Sequence, residues 1–151
     1  MSHNESAFRD ARKSINPQPC AFEKALLSRC CQCSLGQAIH IAEREAVACT
    51  VDEARQACLA LRAELRHRSV FALKLADADA PLPHTKEMKV QCGGLQGLQR
   101  VLARGSPTAA VEDVSALVQA ALARYLALEQ LPYSEIMQTV AAFEIRRRRT
   151  P

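Results

Sequence analysis

Cysteine is the residue type in this sequence most able to do chemistry, with seven cysteines in 151 residues. Three of them fall within the stretch RCCQC of residues 29–33. The amino-terminal residues lack the apolar segment of a secretory signal, and no apolar run approaches the roughly 18 residues needed to cross a bilayer. We therefore interpret the protein as cytoplasmic with no membrane contact. In a reducing compartment these cysteines favour metal binding or redox chemistry over a disulfide framework.

Three of the cysteines, Cys33, Cys49 and Cys92, each directly precede the start of a predicted helix. Free N–H groups and the positive dipole end at a helix start lower the pKa of a thiol and stabilise an anion beside it. Thiolates bind metals, and the two glycines after Cys92 would let backbone N–H groups approach a cluster closely. Cys58, on the inner face of the third predicted helix, supplies a fourth thiol. The predicted ligands are therefore Cys33, Cys49, Cys58 and Cys92.

The spacing of these four cysteines, 16, 9 and 34 residues, matches neither the ferredoxin run nor paired zinc knuckles. Dispersed ligands at helix termini favour an iron–sulfur cluster, with [4Fe–4S] preferred over [2Fe–2S]. A tetrathiolate zinc site is the alternative cofactor. A metal-free thiol switch and buried structural cysteines stay open as further interpretations.

Other residues compete for places in the ligand set. Cys20 stands at the start of a predicted helix and can replace any of the four. Cys30 fits an apolar helix face and is predicted to be a core residue. Cys31 projects in another direction, where it faces solvent and is a candidate for oxidation. His84, in a proline-rich loop, is a further candidate ligand because no helix constrains it.

The elements that position these residues are predicted to be helices. A composition rich in Ala, Leu and Val, with no Trp, favours helices over strands. Apolar spacing predicts helices over residues 21–30 and 34–48, from residue 50 onward, from the glycine pair to residue 104, over 109–129 and from residue 134. The stretch KEMKVQCGG is predicted to be extended. The expected fold is all-α, a compact single domain of five or six helices around a Cys-ligated site, ending in an antiparallel helical hairpin.

The chain divides into three predicted parts. Residues 1–19 are polar, end in NPQP and are expected to form a flexible arm. Residues 20–145 form the helical cysteine-rich domain. Residues 146–151 form a basic tail, whose four arginines offset the acidic excess of the two preceding predicted helices.

Together these patterns predict a small cytoplasmic iron–sulfur protein that transfers electrons or senses redox state or oxygen, with a protein redox or regulatory partner. No catalytic constellation stands out, so the sequence leans away from an enzyme. The alternative is a zinc-binding or thiol-switch regulatory or adaptor module. The stretch LEQLPYSEIMQTV resembles a helix-turn-helix, so that module would contact nucleic acid through the carboxyl-terminal hairpin and arginine run. A net charge of +4 gives only a thin electrostatic footprint for this.

Overall fold

The structure is a computed structural model that describes residues 15–103 and 110–145. The elements follow in the order α1 (Glu23–Leu27), β1 (Gly36–Ile41), β2 (Arg44–Cys49), α2 (Asp52–Ala72), α3 (His84–Met88), a π-helical turn (Lys89–Gly93), α4 (Gly94–Ala103), α5 (Val114–Tyr125), a 3-10 turn (Leu128–Gln130) and α6 (Tyr133–Ala142). Because α3, the π turn and α4 follow one another without a break, they make one long helix with a π turn in its middle.

The prediction of an all-α fold is wrong, because β1 and β2 form an antiparallel hairpin where a helix is expected over residues 34–48. The segment is rich in Ala, Glu and Arg, which favour helices. Its turn residues, Ala42 and Glu43, have φ of 47° and 72°, as a two-residue type I′ turn requires, although Asn-Gly is the usual pair there. The hairpin also buries three apolar side chains, those of Ile41, Ala46 and Val47.

The helix predicted from residue 50 is present as α2, but it begins differently. Its N-cap residue is Val51, and no side chain caps the helix. Thr50, where the helix is predicted to begin, instead donates its hydroxyl to the Leu35 carbonyl at 2.8 Å. The cysteine before it, Cys49, is consequently the last residue of a strand and not a neighbour of a helix start.

The stretch KEMKVQCGG is helical and not extended, because it spans the end of α3, the π turn and the start of α4. Its two glycines allow close helix packing. A Cβ on Gly93 would lie 2.8 Å from the Val140 Cα on α6, and one on Gly94 would lie 2.7 Å from Leu65 Cδ1 on α2. Gly93 and Gly94 therefore allow helices to pack closely, whereas the sequence predicts that they let backbone N–H groups approach a metal cluster.

The last two helices do not form the predicted antiparallel hairpin. Helix α5 packs on α2 and α4, whereas α6 packs on α2, the π turn and α4. Helix α5 ends at Tyr125, its C-cap residue Leu126 has a left-handed φ of 68°, and the 3-10 turn then redirects the chain. Both helices thus contribute separately to a single core, whose largest fully buried side chains are Phe22, Leu61, Leu65, Leu95, Leu98, Ile136, Val90, Val111, Val114, Val118 and Val140.

The end of the predicted flexible arm is packed against β2. Asn16 is buried and its Nδ2 donates to the Val47 carbonyl at 3.1 Å. Pro19 forms an antiparallel bridge with Ala48. Residues 1–14 of that arm lie outside the described residues, as does the predicted basic tail of residues 146–151.

Within residues 15–103 and 110–145, no helix combines the length and the apolar character that crossing a membrane requires. The longest, α2, has 21 residues and carries charged side chains in most of its turns.

We expect Gly93→Ala to lower the free energy of unfolding by about 1–3 kcal/mol, because the added methyl group would meet the α6 backbone. This loss is expected even though alanine is the better helix former by about 1 kcal/mol. Urea unfolding followed by circular dichroism measures it. Gly36→Ala is the matched control, since the nearest atom to its Cβ is a movable side-chain end, Leu26 Cδ2 at 3.2 Å. A Gly93→Ala protein as stable as the wild type would contradict the close packing.

Candidate functional site

Four cysteines from separate parts of the chain line one small cavity of about 20 Å³, which we call the four-cysteine cavity. Cys20 precedes α1, Cys33 lies between α1 and β1, Cys49 ends β2, and Cys58 lies in the second turn of α2. All four are free and half-buried. The other lining residues are mostly small or apolar, with one cation among them: Ala21, Leu35, Gly36, Ala54, Arg55, Val114 and Ser115.

Backbone hydrogen bonds place Cys20 beside Cys49. The Cys20 amide donates to the Val47 carbonyl at 2.9 Å, and the Cys49 amide donates to the Gln18 carbonyl at 2.8 Å. Residues 18–20 therefore run antiparallel along the edge of β2 that β1 leaves unpaired. This pairing fixes two of the four thiols in the same region.

Cys33 reaches the same region through the loop before β1. The Gly36 amide donates to the Cys33 carbonyl at 3.1 Å, and Gly36 stands opposite Cys49 in the hairpin register. The loop is also tied to the start of α5, because the Ser34 amide donates to Asp113 Oδ1 at 3.0 Å. Burial acts to raise the pKa of Asp113, but hydrogen bonds from this and neighbouring residues lower it below its ordinary value. The anchoring carboxylate thus stays charged well into the acidic range.

Cys58 comes from α2, which a side-chain hydrogen bond ties to the same segment. Arg55 Nε donates to the Pro19 carbonyl at 2.8 Å. Because Cys58 follows Arg55 by three residues, both lie on the same side of the helix. The second turn of α2 consequently faces the pairing of residues 18–20 with β2.

The surroundings favour the protonated form of two of these thiols, those of Cys20 and Cys58. Burial raises the pKa of Cys20 to about 11 and that of Cys58 to about 12, from an ordinary 9.0. The nearby thiols of Cys33 and Cys49 act in the same direction, because adjacent negative charges repel. A cation that bound here would have to displace the protons, and its affinity would therefore rise with pH.

The cavity is not a preformed metal site. Within the two described ranges, no three His, Cys, Asp or Glu side chains are already arranged to hold a metal ion. The Cys49 thiol instead donates to the Val51 carbonyl at 3.2 Å. The volume suffices for about one water-sized group. Metal binding at this place therefore requires the Cys49 thiol to leave the Val51 carbonyl and the ligating thiols to lose their protons.

The fourth predicted ligand, Cys92, lies elsewhere. It forms a disulfide with Cys30, 62 residues away in sequence, with the two Cα atoms 6.1 Å apart. Cys92 is in the π turn and fully buried, not before a helix start. A disulfide sulfur offers no thiolate to a metal. The structure thus brings Cys33, Cys49 and Cys58 together, with Cys20 in the place predicted for Cys92.

The remaining alternative ligands are separate from the cavity lining. Cys31 is not solvent-facing as expected but only 2% exposed, and burial raises its pKa to about 12. His84 is exposed at the start of α3. Neither residue lines the four-cysteine cavity.

Comparison of the chain with family models, with curated proteins and with solved structures gives no match.

Two features of the site were missed in the sequence. The sequence predicts Cys20 only as a substitute ligand. Its position in the cavity depends on the pairing of residues 18–20 with β2, and a helix over residues 34–48 would leave no strand for that pairing. The Cys30–Cys92 disulfide has no local signal, since its partners are 62 residues apart and an odd number of cysteines argues against a disulfide framework.

We expect Cys58 to react with iodoacetamide at pH 8 at least about 100-fold more slowly in the folded protein than in urea, because its raised pKa leaves less reactive thiolate. Its rate should keep rising as the pH increases beyond 9, the ordinary pKa of a cysteine. Peptide mapping by mass spectrometry after timed labelling measures each cysteine separately. Equal rates in the folded and unfolded chains would contradict the buried environment of this thiol.

Proposed function

We propose that the four cysteines of this cavity ligate an iron–sulfur cluster, for which the thiols must move apart, and that the protein transfers electrons or senses redox state through it. One observation carries this proposal: four free cysteines from separate segments line the same cavity. Four cysteinyl thiolates are the usual ligand set of iron–sulfur clusters. The proposed ligands are Cys20, Cys33, Cys49 and Cys58.

The depth of the cavity supports exchange of electrons with a partner. Each of the four cysteines is half-buried, with none in the fully buried core. A cluster bound by them would lie near the surface, shielded on one side by α2 and the hairpin. Solvent exposure and nearby hydrogen bonds tune the potential of such a cluster.

The charge of the lining also suits an anionic cluster. Arg55 is the one charged residue among the described lining residues. Its Nε is held by the Pro19 carbonyl and its Nη1 lies 3.6 Å from Asp52 Oδ1. A fixed cation beside four thiolates offsets part of their negative charge and favours the reduced state of a cluster.

A single zinc ion is the second candidate, and the size of the cavity favours it. A space of about 20 Å³ accepts one small ion with modest movement of the thiols. Four thiolates are a common structural zinc set. In that case the protein is a regulatory or adaptor module whose site stabilises the hairpin against α2.

The proposed partner is a redox protein in the cytoplasm, where four free thiols persist. Several basic side chains that could guide such a partner have structural roles. Arg62 Nη1 donates to the Ala21 carbonyl at 2.9 Å, and Lys89 Nζ donates to the Phe143 carbonyl at 2.6 Å. Nucleic acid is the alternative partner. It would contact the arginine run of residues 146–149, which lies outside the described residues.

The test is strictly anaerobic purification, followed by visible absorption and by iron, zinc and acid-labile sulfide assays on the same sample. We expect a brown protein with iron and sulfide in near-equal amounts, bleached by dithionite. Changing any one of the four proposed ligands to alanine is expected to lower bound iron well below the wild-type level, because the cluster then loses one of its four protein thiolates.

Cys31→Ala is the matched control, since this cysteine is also buried with a raised pKa but does not line the cavity. It should retain the iron. Circular dichroism confirms that each variant is folded. Stoichiometric zinc in place of iron would establish the second candidate. A folded protein that takes up neither metal after anaerobic reconstitution, or that loses metal only with Cys92→Ala, would overturn the proposal.

A further inference from the structure

A second cavity, of about 1090 Å³, lies between the chain that follows α1 and helices α3, α4 and α6. We call it the disulfide cleft, because Cys30 of the Cys30–Cys92 disulfide forms part of its wall. Its volume is in the range of small-molecule sites. It shares no lining residue with the four-cysteine cavity.

The two sulfurs of the disulfide differ in access. Cys30 is half-buried and lines the cleft, whereas Cys92 is 0% exposed. The Cys30 side of the disulfide therefore borders the cleft, while Cys92 is enclosed in the core. This asymmetry determines which sulfur is attacked and which one leaves in thiol–disulfide exchange.

The polar groups of the cleft select the charge of its ligand. Arg29 follows α1 and Arg100 lies on α4, against a single described carboxylate, Glu144. The amides of Gln96 and Gln138 add neutral donors and acceptors. Guanidinium groups pair well with carboxylates, so the lining suits a small anion.

We propose that the disulfide cleft binds a small thiol carrying a carboxylate, and that this thiol undergoes exchange with the Cys30–Cys92 disulfide. The ligand thiolate attacks the Cys30 sulfur, the Cys30–Cys92 bond breaks, and its electron pair leaves on Cys92. The products are a mixed disulfide on Cys30 and a Cys92 thiolate, which takes a proton from solvent. The whole thiol is thus added to the protein, with no net oxidation or reduction.

Groups beside the disulfide favour this direction of opening. The Ser28 hydroxyl lies 3.7 Å from the Cys92 sulfur and is placed to donate to the departing thiolate. It now also lies 2.9 Å from the Ala25 carbonyl, to which it donates. A rotation of one hydroxyl group therefore moves the donor from a carbonyl to the leaving sulfur.

This exchange goes beyond the proposed metal centre, because it uses other cysteines and another cavity. The two ideas also have separate measurements, since one predicts bound metal and the other a covalent adduct. Either can fail while the other holds.

The test uses the full chain, purified without reductant, and three thiols of similar size: mercaptoacetate, mercaptoethanol and cysteamine, which are anionic, neutral and cationic. After an acid quench, peptide mapping locates any added thiol. The five free cysteines cannot form a disulfide directly with a reduced thiol. We expect the adduct on Cys30, and the fastest reaction per thiolate with mercaptoacetate.

The double variant Arg29→Gln/Arg100→Gln is expected to lower the ratio of the mercaptoacetate rate to the mercaptoethanol rate by about five-fold. Lys74→Gln is the matched control, because it removes an exposed cation that does not line the cleft. It should leave the ratio unchanged. A change in Cys30 reactivity affects both thiols equally, so the ratio reports binding of the carboxylate.

The Cys92 thiolate can attack the mixed disulfide on Cys30, which restores the Cys30–Cys92 disulfide and releases the added thiol. The variant Cys92→Ala prevents this reaction. In this variant Cys30 is a free thiol, which is treated with the symmetrical disulfides of the same three reagents. The same charge preference is expected, with a stable mixed disulfide on Cys30. An adduct on Cys92 in the wild type, or a rate ratio that the two arginines do not affect in either protein, would overturn the proposal.

Discussion

The antiparallel pairing of residues 18–20 with β2 is the constraint on which the four-cysteine cavity depends. Its two hydrogen bonds, from the Cys20 amide to Val47 and from the Cys49 amide to Gln18, set two thiols side by side. The type I′ turn then returns β1 so that Gly36 and the loop with Cys33 stand opposite Cys49. The Arg55 bond to the Pro19 carbonyl adds α2 to the same group. Without this pairing, Cys20 and the Arg55 contact of α2 lose their connection to β2, and only Cys33 and Cys49 stay joined through the hairpin.

Helix α1 separates the two sulfur centres of the molecule. Cys20 precedes it and faces the four-cysteine cavity, while Cys30 follows it and joins the disulfide. The helix has only five residues, so its stability comes from burial of Phe22 and Ala25 and from the π turn. There Gln91 Oε1 accepts a hydrogen bond from the Ala25 amide at 3.1 Å. The π turn thus holds α1 in place through both a side chain and a disulfide.

The sequence predicts helices α2 and α6 well, because apolar spacing over several turns reports the face that packs on the core, whereas the helix predicted over 109–129 spans only Val114–Tyr125. Helix α2, with Leu61 and Leu65 buried, and helix α6, with Ile136 and Val140 buried, both follow this rule. The hairpin could not be predicted in the same way. Its strands are made of residues that favour helices, and a turn of Ala42 and Glu43 lacks the usual glycine.

The candidate ligands show the same division between local and long-range information. Cys58 was found because its place on the inner face of a helix is a local pattern. Cys33 and Cys49 are predicted ligands because each is expected directly before a helix, and neither is. They line the cavity because the hairpin brings them there. Cys20 lines the cavity in place of the predicted ligand Cys92, which forms a disulfide. Neither the pairing of residues 18–20 with β2 nor a disulfide across 62 residues can be recognised from the spacing of the cysteines.

The central claim is that these four thiols act as one ligand set. X-ray absorption at the metal edge tests it most directly, using protein loaded with zinc so that a single ion reports its neighbours. The account predicts four sulfur ligands at about 2.3 Å and no nitrogen or oxygen in the first shell. A shell with two or fewer sulfurs, completed by nitrogen or oxygen, would show that the thiols do not converge on one metal and would contradict the account.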